Sequence, residues 1–356
     1  MTNIPKNQRN SAIELLRILS MAMIVLSHIC CHSGFDYTYS QLSVNRLFVQ
    51  FGILGNLGVA LFLLISGYFR SSFRIRALSR MLGQVWFYSI TLFLLCRFVF
   101  GYTSYNADML WQVFLPTIFD EYWFFTAYIS LFLLSPFINT LLDHLTRQQL
   151  RTMLILMTLL WVVLPTLTEK YLYAAELPQF LLYYCLGAYL RLYPDNCFRK
   201  KSLGWAAAIG SMAVLYGLTV VLGYCERFTP EAFGASVRFY DRNSLLILGA
   251  ALGMFSLAAY CKPFVSPWIN TLGGCAFGVY LIHDNPVVRE LLWKNWLHWG
   301  AYFGSGSFIP RLICSVILVY TVCTAMEWLR QKTVAKPLEN AIEKLLNRLL
   351  KNTSLV

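Results

Sequence analysis

The sequence predicts an all-α polytopic membrane protein of about ten transmembrane helices, each near the ~20 residues that cross a bilayer, with a C-terminal amphipathic helix. Three observations carry that prediction. The first is composition: of 356 residues 58% are hydrophobic, 16% aromatic and only 13% charged, where a soluble domain is about one quarter charged. Mean hydropathy is +0.56. The second is recurrence. Apolar stretches of bilayer length, or slightly short of it, cover residues 11–31, 52–69, 81–100, 122–142, 150–167, 177–193, 203–224, 243–260, 268–283 and 308–329. The third is segregation of charge. Lys6, Arg9, Arg70, Arg74, Arg76, Arg80, Arg147, Arg151, Arg191, Arg199, Lys200, Lys201, Lys262 and the basic residues of the C-terminal tail fall at one set of span ends. The opposite ends hold Arg46, Lys170, Arg227, Arg238, Arg242, Arg289, Lys294 and Arg311, a total of 8 against 19. Basic residues concentrate on the cytoplasmic side, so both termini are expected there. The net charge of +12 follows from that bias and does not point to nucleic acid.

The first stretch, SAIELLRILSMAMIVLSHICCH over 11–32, is the most informative. Its apolar run is interrupted by Glu14 and Arg17 and no small-residue cleavage site follows, so it reads as a retained span and not as a signal peptide. At about 100° per residue, the eleven steps from Arg17 to His28 make three turns plus about 20°. The two side chains share a face, roughly 16 Å apart along the axis. Glu14, Ser20 and His32 lie within about 60° of that line. An ionisable group inside a membrane helix costs at least about 2.5 kcal/mol and is by default a functional hypothesis. For Arg17 the plainer alternative is a salt bridge to Glu14.

Span two ends in FLLISGYF (62–69), followed by RSSFRIRALSR (70–80), with four arginines in eleven residues. That segment is either a charged anchor or a clamp for an anionic cytosolic ligand, since guanidinium forks match phosphate geometry. The fourth span opens with Asp120-Glu121-Tyr122-Trp123-Phe124-Phe125, either an interfacial aromatic belt or the wall of a sugar site. The ninth, loosened by Gly273, Gly274 and Gly278, ends in GVYLIHDN (278–285). Topology therefore collects His28, His32, Glu121, His283 and Asp284 at outer depth, and Arg17 with the arginine segment at inner depth.

Imidazole activates a hydroxyl near neutral pH, which makes His28 a candidate base. The i, i+4 pair His28 and His32, with Cys31 nearby, also invites a metal, but no further ligand cluster with suitable spacing accompanies it, and no metal is expected. The ten cysteines sit mostly in apolar segments without a C-x-x-C pair and read as small buried hydrophobes. His144 and His298 fall in loop-like regions. The chain divides into a membrane unit, 1–331, and a tail, 332–356. In the tail Leu338, Ile342, Leu345, Leu346, Leu349 and Leu350 recur at helical spacing among Lys336, Lys344, Arg348 and Lys351, as in a helix lying on an anionic leaflet.

Arg17-ILSMAMIVLS-His28, FLLISGYF with its basic segment, EYWFFTAYISLFLLSPFI and GVYLIH together resemble the acyltransferase-3 family, integral-membrane enzymes that O-acylate extracytoplasmic glycans. The fourth-span block is similar to that of the small single-domain members. The resemblance covers roughly residues 10 to 330. It implies an O-acetyltransferase, or a relative using another acyl group, in the bacterial inner (plasma) membrane. Acetyl-CoA or another acyl-CoA would be the cytosolic co-substrate, with no bound cofactor, and a glycan or lipid-linked sugar hydroxyl the outer acceptor. By the same resemblance His28 is catalytic with Arg17 its partner, and the segment with Arg70, Arg74, Arg76 and Arg80 holds the coenzyme A phosphates. Glu121, Tyr122, Trp123, His283 and Asp284 are candidates for the acceptor side. A transporter or flippase of an anionic or lipid-linked sugar is the alternative, since intramembrane charge serves transport equally well. The paired repeats common in transporters are not seen. A structural assembly protein is a third reading.

Overall fold

The computed structural model describes residues 9–35, 42–103, 107–168, 176–226, 228 and 236–350. Lys6, Lys170, Arg227 and Lys351, which enter the charge count, lie outside the described residues. Every regular element among the described residues is helical. In chain order these are α1 (Ser11–His32), α2 (Val44–Gly52), α3 (Gly55–Tyr68), α4 (Ile75–Phe98), α5 (Ala107–Phe114), α6 (Trp123–His144) and α7 (Arg147–Thr158). They continue with α8 (Leu164–Thr168), α9 (Glu176–Leu192), α10 (Lys201–Cys225), α11 (Leu245–Ala259), α12 (Pro267–His283), α13 (Pro286–Glu290), α14 (Phe308–Thr333) and α15 (Ala335–Leu350).

Eight helical stretches are long and apolar enough to cross a membrane, at 22 to 26 residues each. The sixth and ninth expected spans appear as α9 and α12, of 17 residues each. At about 1.5 Å per residue they extend about 25 Å, short of a hydrocarbon core of about 30 Å. α9 buries nine of its residues, and α12 buries its second half while Trp268 near its start stays exposed. The short α12 ends on His283 with Asp284 as its C-cap, which sets two polar side chains inside the bundle.

Local signals explain the helix boundaries. Asn10 caps α1 by accepting from the Ala12 N–H at 3.1 Å. Thr146 and Gln149 form a capping box at the start of α7, satisfying two orphan donors reciprocally. A π-helical turn over Leu159–Val163 joins α7 to α8. Two boundaries differ from expectation. The second span is broken at Ile53 and Leu54, with α2 ahead of the break. The fourth helix begins at Ile75, not near residue 81, so Arg76 and Arg80 stand on its first turns instead of in a loop. Hydropathy misses that turn because it is charged, while the helix face just beyond it is covered from within the chain. Leu338 and Ile342 of α15 pack over Gly83 of α4, and Arg80 lies 3.5 Å from Glu339. Leu345 and Leu349 stay exposed.

The centre is built on close helix approaches. At the α3–α9 crossing, a Cβ on Gly67 would fall 1.9 Å from the Tyr184 carbonyl oxygen, and one on Gly187 2.2 Å from that of Leu64. Small residues that let backbones meet are the usual device where lipid supplies no hydrophobic drive between helices. α1 lies against α3, α12 and α14, so its polar face is enclosed by protein.

Candidate active site

One cavity of about 560 Å³ runs along α1. Arg17, Met21, Ile24, Ser27, His28, Cys31 and His32 form one side of it, in the order of the helix. Near Arg17 the wall is completed by Arg80, Gln84, Phe69, Ser71, Gly273 and Gly274, and near His28 by Ile53, Gly55, Asn56 and Trp123. Phe62, Phe124, Tyr128, Phe277 and Tyr280 line the stretch between. The cavity therefore connects the arginine end of α1 to its histidine end, about 16 Å of helix rise.

At the first end, Arg17 Nη1 lies 3.3 Å from Glu14 Oε2, and Arg9 Nη1 3.9 Å from the other carboxylate oxygen. Glu14 is buried while Arg17 is partly open to the cavity. The salt bridge and the cavity-facing role thus coexist in one side chain. A Cβ on Gly273 would come within 2.4 Å of Glu14 Oε2, so this glycine admits the carboxylate between α1 and α12.

At the second end the chain joins residues more than 250 positions apart. His28 Nδ1 is 3.0 Å from His283 Nε2 and 3.3 Å from Asp284 Oδ1. His283 Nδ1 is 2.6 Å from the Val279 carbonyl oxygen. A carbonyl only accepts, so His283 Nδ1 carries the hydrogen and neutral His283 presents its Nε2 lone pair. His28 Nδ1 is then the donor, and its own lone pair sits on Nε2, on the ring that lines the cavity. Asp284 Oδ1 is also 3.6 Å from Arg289 Nη1. His283 and Asp284 thus stand behind His28 and are not among the residues that line the cavity. A carboxylate against the rear nitrogen of an imidazole fixes its tautomer and stabilises the imidazolium.

Glu121 and Tyr122 are likewise absent from the cavity wall; of that aromatic segment Trp123 and Phe124 line it. Asn285 Nδ2 donates to Glu121 Oε1 at 2.9 Å and to the Tyr122 hydroxyl at 3.0 Å. Tyr122 donates to the Leu281 carbonyl at 3.1 Å. Asn285 Oδ1 caps α13 by accepting from the Val287 and Val288 N–H groups. The network pins the segment that follows α12 and so holds Asp284 in place. Burial pushes the Glu121 carboxyl up to about 7, against hydrogen bonds from Ser89 and Asn285. Ser89 Oγ lies 2.8 Å from the Val113 carbonyl and 2.5 Å from Glu121 Oε2. It has one hydrogen for two acceptors, and a proton on Glu121 satisfies both. Glu121→Gln should therefore keep a near-wild-type melting temperature. Glu121→Ala, which takes one partner each from Ser89 and Asn285, should lose about 1–3 kcal/mol of stability. Paired thermal melts in detergent check this; equal losses for Gln and Ala would refute the protonated network.

The four arginines separate. Arg70, with φ 50°, is clasped to the end of α6, at 2.6 and 2.7 Å from the two Asp143 carboxylate oxygens and 2.9 Å from the Asn139 carbonyl. Arg74 and Arg76 are exposed and lie off the cavity wall. Only Arg80 lines it. Residues with no sequence signal also contribute. Arg242 stacks over Trp123 at 4.6 Å and bonds Gln179 and Asn56 at 2.9 and 3.2 Å, fixing the aromatic wall from behind. Ser89, Asn285 and Glu339 act by contacts between distant segments, which local pattern does not report.

Residues 10–328 match the acyltransferase-3 family model, described as an acyltransferase domain. The chain belongs to the acyltransferase-3 family. No curated protein and no solved structure matches it. As a member of the acyltransferase-3 family it is a multi-pass membrane acyltransferase, with an acyl donor and an acceptor as its substrates. Family membership leaves the transporter and assembly readings without support.

Proposed function

We propose that the protein transfers an acetyl group, or another acyl group, from cytosolic acyl-CoA to a hydroxyl of a cell-surface or lipid-linked glycan at the opposite membrane face. The observation that carries this reading is the single cavity joining Arg17 and Arg80 to His28. Coenzyme A phosphates dock at the Arg80 end, and the pantetheine arm lies along α1 beside Arg17. The thioester carbonyl then reaches His28. The sugar enters from the His32 end, against Trp123. His28 Nε2 takes the hydroxyl proton as the oxygen attacks the thioester carbon. The new C–O bond forms, the C–S bond breaks, and the departing thiolate recovers the proton from His28. Asp284 and His283 hold the ring and share the positive charge. In this reading the protein lies in the plasma membrane with both termini in the cytoplasm, which the excess of basic residues at that set of span ends supports. The tail helix α15, exposing Leu345 and Leu349 beside Lys344 and Arg348, suits an anionic leaflet.

The test is incubation of purified protein with radiolabelled acetyl-CoA and a glycan-containing membrane extract, beside Arg17→Lys. Label on glycan and release of coenzyme A by wild type support the reading. Label held on the protein would replace the base role with an acyl-histidine. No turnover of acetyl-CoA or longer acyl-CoAs would overturn the donor assignment. The arginines give a sharper expectation. Arg80→Ala should raise the KM for acyl-CoA about tenfold, the worth of one charge-assisted contact, with kcat little changed. Arg70→Ala should leave that KM within about twofold and act on stability, as expected for a partly exposed pair.

A further inference from the structure

We infer that His28, His32 and Asp284 form a site for a divalent transition-metal ion, and that Zn²⁺ bound there inhibits acyl transfer; the inhibition, but not the binding, rests on the function proposed above. One donor atom from each of the three residues lies within 4.8 Å of the others. The i, i+4 histidines of α1 supply two nitrogens, with ring centroids 5.4 Å apart. The fold brings in an oxygen from beyond the end of α12, the ligand that no local spacing in the sequence provides.

Two imidazoles and one carboxylate are the donor set of catalytic zinc centres, which leave a fourth position open. Here both histidines line the cavity, so a water or a substrate oxygen has access to that position. Around a tetrahedral ion with bonds of about 2.0–2.1 Å the donors stand about 3.3 Å apart. The cluster must therefore close by about 1.5 Å at its widest, measured against that same spacing. His32 can supply the movement. It is half-buried, and no hydrogen bond holds its ring among the described residues. Asp284 Oδ1 is buried with no hydrogen-bond partner and meets only the longer contacts to His28 and Arg289.

Opposing groups set the affinity. Arg289 lies 3.6 Å from Asp284 Oδ1, and a cation must compete with it. His283 holds His28 Nδ1 at 3.0 Å, so coordination through that nitrogen displaces its proton and breaks the contact. Either nitrogen of His28 gives the same result for the reaction. The imidazole that must accept a proton is bound to a dication, and coordination releases protons instead of taking them up. The ion thus acts as a reversible inhibitor competing with the proton, not as a cofactor.

His32 is the ligand to test, because it takes no proton in the proposed transfer and its zinc-free rate can be measured separately. Full-length protein in detergent is titrated with ZnCl2 while coenzyme A release is followed, wild type beside His32→Gln. Wild type should be inhibited and recover on adding EDTA. His32→Gln, referred to its own zinc-free rate, should need at least about tenfold more Zn²⁺ for half-inhibition. Equilibrium dialysis with Zn²⁺ alone provides a readout that needs no activity: wild type should bind one ion per chain more than either His32→Gln or His28→Ala. Equal Zn²⁺ uptake by all three proteins, or equal inhibition of wild type and His32→Gln, would overturn the site. Stoichiometric binding without any acyl transfer would leave the site standing and remove the proposed reaction instead.

Discussion

His28→Ala should lower acyl transfer at least about 100-fold, the lower end of what a positioned acid–base group contributes, in a protein that still folds. The side chain lines the cavity, so its removal enlarges an existing space. Its loss takes one partner from His283 Nε2 and one from Asp284, which keeps Arg289 at 3.6 Å. The stability cost is therefore about that of an unsatisfied buried polar group, 1–3 kcal/mol. Coenzyme A release measured beside a detergent gel-filtration profile separates the two effects. A His28→Ala protein with full transfer would remove this histidine from the chemistry. Arg17→Ala is a less clean probe. It strips Glu14 of its nearer cation and leaves a buried carboxylate with Arg9 at 3.9 Å, so lost activity would mix chemistry with destabilisation. Arg17→Lys keeps the charge and tests the guanidinium fork alone.

The largest effect on stability is expected at Gly67. Any Cβ there meets the Tyr184 backbone at 1.9 Å, and the reciprocal contact at Gly187 meets that of Leu64 at 2.2 Å. Neither obstacle is a side chain that can rotate away, so the two helices must separate. Overpacking a tight interior costs about 1–3 kcal/mol even where side chains can adjust. Gly67→Val should exceed that and yield little folded protein. Gly210→Val is the control, since nothing lies within 4 Å of a Cβ there, and it should be recovered like wild type. Melting midpoints by fluorescence-detected gel filtration decide the matter. An unshifted Gly67→Val would mean that α3 and α9 do not approach as described.

Separating α3 from α9 would also open the cavity, because α3 carries Gly55, Asn56, Val59, Phe62, Ile65 and Ser66 of its wall. Stability and function therefore meet at one crossing. The aromatic wall depends similarly on Arg242, which joins Asn56 of α3 to Gln179 of α9 and stacks on Trp123.

The helical period of residues 11–32 was enough to place Arg17 and His28 on one face, because that alignment is a property of a single helix. The order of motifs was enough to suggest the family. Apolar length located eight of the ten expected spans among the described residues, and the repeat of leucines falls on α15. What local pattern leaves out is each side chain's neighbour. Asn285 and Ser89 hold Glu121 in a buried network that Tyr122 shares. Asp143, 73 positions away, pairs with Arg70. α12 is short and close to α1, so His283 and Asp284 meet the rear of His28. Asp284 also stands near the two histidines of α1 as a third donor. Hydropathy and periodicity report which face of a helix turns away from lipid. They carry no information on which partner that face meets, because the choice rests on backbone approaches such as Gly67 against Tyr184 and Gly273 against Glu14. The sequence alone thus determined a helical membrane protein with a polar stripe on its first span. Only the tertiary structure decided which groups complete that stripe, because close packing joins residues that local pattern leaves more than 250 positions apart.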